Sequence, residues 1–539
     1  MKASTGFAVA AALVTEITLA NPLQARTEVY DFTQITATPE LIWTPCYGDR
    51  NQDFQCALLQ VPLDYTNKSA GTTNIAFIQK PSKNASAEDI LVNSGGPGGS
   101  GVGMVLSTFE ILEEKLGTTH NLIGFDPRGV NNSGPSISCF PTSPVQQNLF
   151  FDKSFTPVDG RNEYELAESF NNAGLFGEWC SIVHSVNGTA RYANTPAVAQ
   201  DMLHYIELRA EARGHNPADA KLGFYGISYG TILGSTYAAL YPNRISRMIL
   251  DGVGDLEDYY TSGWTRVLYD TDATVRDFFK SCFEAGPVLC PFHKNASSAD
   301  AIEKRYLAIY DNLKKSPVSV ASPEFGPVTV TWKDISSVFF ALAYEPLVGW
   351  PALAQAFTEM EEGNFTSAAA ADPETTLLIT QPYDSREVRS QVTCFDMNGR
   401  YNLSTLDSYR KHVEHQNNMS FYGGPLTSGI VATVCREMHV FPPKSQIFDG
   451  KVNVNSTSAP ILFVSTKLDP ITPLRSAKKM SSLFPGSAVL AADWVGHTTY
   501  FTPKSCVDKY TQAYIKNLSM PPPDTMCKES VKPFALGAA

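Results

Sequence analysis

Leu222-Gly223-Phe224-Tyr225-Gly226-Ile227-Ser228-Tyr229-Gly230-Thr231-Ile232-Leu233-Gly234 is the most informative stretch of the chain. Leu222 to Tyr225 reads as a short apolar strand, and the small-residue run from about Thr231 to Tyr241 reads as a helix. Between them lies a G-x-S-x-G pentapeptide, Gly226 to Gly230. In that setting it forms a tight strand-to-helix turn that pushes the serine side chain out over the edge of a sheet. The flanking glycines let the backbone take the turn, and Gly234, one helical turn on, keeps the helix close to the sheet. Ser228 is therefore the candidate nucleophile.

The neighbouring segments repeat the pattern. Upstream, Cys56–Val61 and Asn74–Gln79 read as a hairpin across the polar stretch 66–73. Ile90–Val92 and Leu122–Phe125 are apolar on both faces, as central strands of a parallel sheet are. The first of these ends in Asn93-Ser94-Gly95-Gly96-Pro97-Gly98-Gly99-Ser100-Gly101, whose glycines let backbone N–H groups converge on an oxyanion. Gly96 is the first candidate donor and Tyr229, just after the serine, the second. No Gly-Lys-Ser/Thr follows, so the loop does not read as a phosphate cradle. The second ends in Asp126-Pro127-Arg128-Gly129, where an Asp126–Arg128 ion pair is expected to brace the oxyanion loop, the alternative being that Arg128 touches substrate. A helix is expected from Thr195, with Thr195 as its cap, to near Gly214. A further strand is expected over Arg247–Asp251.

From about Asp255 the pattern becomes helical, with helices expected over 274–285, 299–315, 334–344 and 352–362. Ser297 with Asp300 reads as a capping box for the second of these. The strand pattern resumes at Ile461–Val464. A nucleophilic serine needs a base and an acid to orient it, and in this type of sheet they follow the serine as acid, then histidine. Asp469, at the end of the resumed strand, and His497, in Val495-Gly496-His497, fit that order; Asp251 is the alternative acid.

The chain has 539 residues, 43% of them hydrophobic, with a formal charge of −12. That size supports a large core, and the acidic balance argues against nucleic-acid or membrane partners. Lys2, the short apolar run 6–14 and Thr18-Leu19-Ala20 read as a signal peptide over residues 1–20. Ten cysteines occur, none in a CxxC pair, which disfavours zinc; no metal or organic cofactor is expected. Pairing sequence neighbours gives Cys46–Cys56, Cys139–Cys180, Cys282–Cys290, Cys394–Cys435 and Cys506–Cys527. Sequons at Asn67, Asn84, Asn131, Asn187, Asn295, Asn364, Asn402, Asn418, Asn455 and Asn517 suggest N-linked glycans and a secreted protein.

The expected architecture is an α/β-hydrolase fold: a central, mostly parallel sheet with a large, mainly helical cap. Residues 40–254 form its first part, 255–452 the cap or lid, and 453–530 the part carrying the aspartate and histidine. Together N-S-G-G-P-G-G-S-G, F-D-P-R-G, G-I-S-Y-G-T, L-D-P-I-T-P and V-G-H resemble the tripeptidyl-aminopeptidase-like and proline-iminopeptidase-like branch of α/β-hydrolases, from about Cys46 to Cys527. That resemblance implies removal of one or a few residues from a free N-terminus. It places the triad on Ser228, Asp469 and His497 and the oxyanion hole on Gly96 and Tyr229. Related enzymes often carry histidine where Ser94 stands, a departure that bears on the bracing of the loop.

Exopeptidases of this kind need carboxylates for the substrate ammonium. The lid offers Asp255, Glu257, Asp258, Asp396 and Glu437. Asp396, beside Cys394, leads with Glu437 and Glu257. The competing reading is a secreted carboxylesterase or lactonase acting on a small ester, such as a secondary metabolite; a silent binding module is a third. Convergence of lid carboxylates near Ser228 favours the peptidase, an apolar lid the esterase.

Overall fold

Short segments apolar on both faces have one good solution in water, which is to pair side by side and be covered by helices above and below. In the computed structural model the described residues are Val29 and residues 31–50, 52–185, 187–370, 385–401, 403–430, 433–502, 505–528 and 531–535. The expected signal peptide and Asn402 lie outside them.

The first part of the chain supplies β1 (Thr44–Pro45), β2 (Gln55–Pro62), β3 (Thr72–Lys80), β4 (Asp89–Asn93), α1 (Gly101–Leu116), β5 (Asn121–Phe125), α2 (Pro144–Ser154), α3 (Glu163–His184), α4 (Thr195–Ala212), β6 (Leu222–Ile227), α5 (Tyr229–Leu240) and β7 (Ile245–Asp251). Then come α6 (Leu256–Thr261), α7 (Thr271–Leu289), α8 (Ala299–Lys315), β8 (Val318–Ser322), β9 (Gly326–Val330), α9 (Trp332–Leu342), α10 (Pro346–Glu361), α11 (Thr366–Ala370), α12 (Ser385–Met397), α13 (Leu406–Met419) and α14 (Gly424–Ile430). The chain closes with β10 (Ile461–Leu468), α15 (Leu474–Leu483), β11 (Ala488–Val495), α16 (Cys506–Asn517) and β12 (Met526–Lys528).

The described strands form a ten-stranded sheet in the order β1-β2-β3-β5-β4-β6-β7-β10-β11-β12. It is antiparallel from β1 to the β3–β5 pair and parallel from β5 onward. Every residue of β5 and β6 is buried. One face packs on α4, α5 and α15 through Leu233, Tyr237 and Met480, the other on α1 and α16 through Val105, Leu112 and Ile515. Each such aliphatic side chain contributes about 1.5–3 kcal/mol by burial.

β7 and β10 are neighbours in the sheet although more than two hundred residues of sequence separate them. The intervening segment has its own aromatic core, where Phe278 meets Phe339 edge-on at 5.2 Å and Tyr306 meets Phe357 at 5.0 Å. It rests on the carboxyl ends of the strands. A Cβ on Gly98, after β4, would lie 2.9 Å from the Ser385 carbonyl, and one on Gly496, after β11, 2.7 Å from Pro346.

All five cysteine pairings join the expected neighbours. Other expectations are corrected. Asn194, not Thr195, caps α4, accepting from Ala197 N at 3.0 Å. Ser298, not Ser297, caps α8. Arg128 does not pair with Asp126. Its guanidinium, 1% exposed, grips Asp201 at 2.7 and 2.8 Å and donates to the carbonyls of Pro62 and Leu63. Among the described residues no helix is long and apolar enough to cross a membrane.

Candidate active site

Ser228 stands between β6 and α5 with φ 55° and ψ −121°, a left-handed backbone that costs a non-glycine residue about 1–3 kcal/mol. Its neighbours hold it there. Ser228 N donates to the Asp251 carbonyl at 2.9 Å, and Thr231 donates to the Ser228 carbonyl through N at 2.8 Å and Oγ1 at 2.6 Å. The flanking glycines are sterically required: a Cβ on Gly226 would lie 2.3 Å from the Gly230 carbonyl, and one on Gly230 2.8 Å from that of Asn93.

The glycine loop lies against this turn. Gly95 and Gly96 have φ of 93° and 108°, and a Cβ on Gly95 would lie 3.2 Å from Tyr229 N. Tyr229 is the first helical residue of α5, so its N–H has no intrahelical acceptor. Gly96, Ser228 and Tyr229 line one cavity. Ser94 Oγ is buried without a hydrogen-bond partner and does not brace the loop. Bracing comes from Asn93, whose Oδ1 accepts from Gly95 N at 3.1 Å, and from Asp126, which accepts from Ser100 Oγ at 2.6 Å and Val102 N at 3.2 Å.

Asp469 follows β10 and is fully buried. Both its oxygens lie 3.0 Å from His497 Nδ1, and it also accepts from Thr472 N at 2.7 Å, Thr472 Oγ1 at 2.8 Å, Ile471 N at 2.9 Å and Thr498 N at 3.2 Å. Burial alone would raise this carboxyl; the imidazole and the N–H donors outweigh it and hold the group below its usual value. With Nδ1–H given to Asp469, Nε2 is left as the acceptor. Tyr344 fixes the ring, its carbonyl accepting from His497 N at 2.9 Å and its own ring lying 4.8 Å away edge-on. Asp251, the alternative acid, is bonded instead to Thr499 N at 3.0 Å, Thr499 Oγ1 at 2.7 Å and Tyr225 OH at 3.1 Å, and so anchors the histidine loop.

Two cavities meet at Ser228. The first, about 820 Å³, is walled by Tyr229, Tyr259, Trp264 and Phe340 and carries Asp255 and Asp258. The second, about 1150 Å³, holds His497, Glu345, Met104 and Phe501, and Arg389 lines both. Asp255 is neutralised by Lys479, 2.8 Å from each oxygen. Asp258 takes Arg266 N at 2.9 Å and Thr265 N at 3.1 Å; its partners are N–H and O–H groups rather than a cationic side chain, and burial pushes its carboxyl up.

The three leading ammonium candidates stand elsewhere. Glu257 is exposed and paired with Lys479 at 2.8 Å. Glu437 pairs with Arg436 at 3.0 Å and lies beside His439. Asp396 is buried behind the cavity wall, its oxygens taken by Thr195 and Tyr259. Proximity to Cys394 put it on the inner side of the insertion, but one layer too deep. Tyr344, Glu345 and Arg389 carried no motif and were not read from sequence; Thr472 lies inside L-D-P-I-T-P but was given no role there. Among the described residues no group of three or more His, Cys, Asp or Glu is placed to hold a metal ion.

An exposed-edge serine, a carboxylate-oriented imidazole and convergent N–H donors can together carry acyl transfer. Residues 90–288 match the alpha/beta hydrolase fold family, and residues 425–527 match the family of TAP-like proteins. The chain is a serine hydrolase of the α/β-hydrolase fold. Its C-terminal part places it with the TAP-like proteins of that class. It is 28% identical over 508 residues to serine protease Hip1 of Mycobacterium tuberculosis, covering 90% of each chain. It is 23% identical to the tripeptidyl aminopeptidase of Streptomyces lividans, covering 91% of this chain and 87% of that one. It is also 24% identical to carboxylesterase B of Mycobacterium tuberculosis, covering 91% and 90%.

Proposed function

We propose that this protein is a secreted serine aminopeptidase that releases N-terminal residues or short peptides. In this reading Ser228 attacks the scissile carbonyl, His497 Nε2 takes its proton and passes it to the leaving amine, and Asp469 orients the imidazole and stabilises its charged form. The N–H groups of Gly96 and Tyr229 receive the oxyanion; one such donor is worth about 2.7–4 kcal/mol of barrier. Residues 255–452 act as the cap that walls the substrate cavity. The relatives named serine protease and tripeptidyl aminopeptidase support peptide substrates. Five disulfides support a secreted protein.

The observation that carries the choice of a free amino terminus is the placement of Asp258 and Asp255 in the aromatic cavity of Ser228. An ammonium there would meet Asp258, whose direct hydrogen bonds come from N–H and O–H groups, with the Arg266 charge acting on it only from a distance. The esterase reading keeps its support from the relative named carboxylesterase B.

The test is hydrolysis of a chromogenic panel: free-amine peptide amides, their N-acetyl twins and short acyl esters. Cleavage of the free amines over the twins is expected. Asp258→Asn should lower kcat/KM for the free amines by about 10–100-fold, as loss of a charged hydrogen bond does, and leave esters nearly unchanged. Ester cleavage alone, indifferent to an amino group, would move the protein to the esterase class.

A further inference from the structure

Asp396 lies on α12 with 4% of its surface exposed, and three donors converge on it: Thr195 N at 2.8 Å, Thr195 Oγ1, and Tyr259 OH at 2.7 Å. Thr195 Oγ1 is in turn 2.5 Å from Tyr229 OH. A threonine hydroxyl has one proton. Given to the carboxylate, it leaves Oγ1 to accept from the phenol, so the charge on Asp396 sets the direction of the whole relay, from Tyr229 through Thr195 to Asp396, with Tyr259 donating from the other side. The rings of Tyr229 and Tyr259 stand 5.8 Å apart, and both wall the cavity of Ser228.

The relay joins three elements distant in sequence. Asp396 comes from the insertion, Thr195 from the first turn of α4, and Tyr229 from the residue after the nucleophile. The charged side chain beside it, Arg400, spends its guanidinium on the carbonyls of Asp396, Tyr260 (3.1 Å) and Phe448 (2.6 Å) rather than on the carboxylate. Tyr260 bonds Thr236 at 3.1 Å. Burial pushes the Asp396 carboxyl up to about 6, against the hydrogen bonds from Thr195 and Tyr259. An amide of the same shape would be easier to bury. The charge is therefore unfavourable for the fold at this position.

We propose that Asp396 is a positioning residue for the hydrolytic step: through Thr195 and Tyr259 it fixes Tyr229 and with it the N–H that follows the nucleophile. The inference rests on Ser228 being that nucleophile. It gives the insertion a direct hold on the oxyanion side of the site, in addition to its hold on His497 through Tyr344. Because the N–H serves every acyl substrate, the effect falls on turnover and not on recognition of an amino group.

The test compares wild type, Asp396→Asn, Tyr229→Phe and the double variant. Its readouts are active-site titration with a fluorophosphonate, kcat and KM on one peptide amide and one acyl ester, and Tm at pH 7.5. The inference predicts that each single change lowers kcat on both substrates by at least about tenfold, short of the 10²–10³ that removal of an oxyanion donor costs, with KM within about threefold. It also predicts no further loss in the double variant, since both changes break one relay, and no fall in Tm for Asp396→Asn. Unchanged kcat in both single variants, or a loss confined to KM, would overturn it. So would additive losses in the double variant. If Asp396→Asn does not fold, Tyr229→Phe, which removes one hydroxyl, decides alone by the same kcat and KM criteria. Wild type that the fluorophosphonate does not label at Ser228 would instead strike the underlying reading of the nucleophile.

Discussion

Asp251 and Asp469 end adjacent parallel strands, and their hydrogen bonds separate their roles. Asp251 holds Thr499 and Tyr225, whereas Asp469 faces the His497 ring with both oxygens. Asp469→Asn is therefore expected to lower kcat by roughly 10⁴-fold, through loss of the correct imidazole tautomer, with the fold retained. Asp251→Asn should act more weakly, by loosening the histidine loop, and steady-state kinetics on the two variants checks the order. The proposed triad of Ser228, Asp469 and His497 stands out in sequence because each follows a strand and sits in a short local motif. Which of the candidate lid carboxylates faces the cavity of Ser228 does not stand out in the same way. Asp258 and Glu257 are one residue apart on α6, and the helical turn alone decides that one faces the cavity and the other Lys479. Arg128 likewise has a local partner in sequence and a distant one, Asp201, in the fold.

At the level of strands and helices, the start of α1 is pressed onto β5 with no room for a side chain on either. A Cβ on Gly124 would lie 2.2 Å from the Gly101 carbonyl, and one on Gly101 2.2 Å from the Phe125 carbonyl. Because the glycine loop feeds directly into α1, Gly124→Ala should cost about 1–3 kcal/mol of stability by overpacking and also reduce kcat by displacing that loop. Thermal unfolding and kinetics on the one variant would show both effects together. The central strands were readable because they are apolar on both faces and end in Gly/Pro loops. The β8–β9 hairpin was not. Its strands are only five residues long and half buried, with proline at 327, and they lie between the long amphipathic helices α8 and α9. α12 follows residues 371–384, outside the described region, and its buried polar residues, Glu387, Gln391 and Asp396, spread around the helix, disguise it as a solvent-facing one.

For the molecule as a whole, the buried carboxyls oppose one another in pH dependence. Asp469 is held below its ordinary value, so its contribution is present above about pH 4 and is lost as pH falls through the lower folded value. Asp396 is raised to about 6, so its contribution has the other sign: it is present below about pH 4 and is lost as pH rises through about 6. Asp396→Asn removes that second dependence. Its stability relative to wild type should rise by up to about 3 kcal/mol between pH 4 and 7, at about 1.4 kcal/mol per pH unit. Denaturant unfolding with disulfides intact, at both pH values, measures the difference; a constant difference would contradict it. A variant that is more stable at neutral pH yet slower in turnover would separate orientation of the site from support of the fold.

Whether Ser228 is an activated nucleophile served by His497 is decided by covalent trapping. Purified protein treated with a fluorophosphonate should gain one adduct by intact mass, mapped to the peptide carrying Gly226 to Gly230. That adduct should be absent in Ser228→Ala and formed far more slowly in His497→Ala. A wild-type protein that stays unmodified, or an adduct on any other residue, would contradict the account.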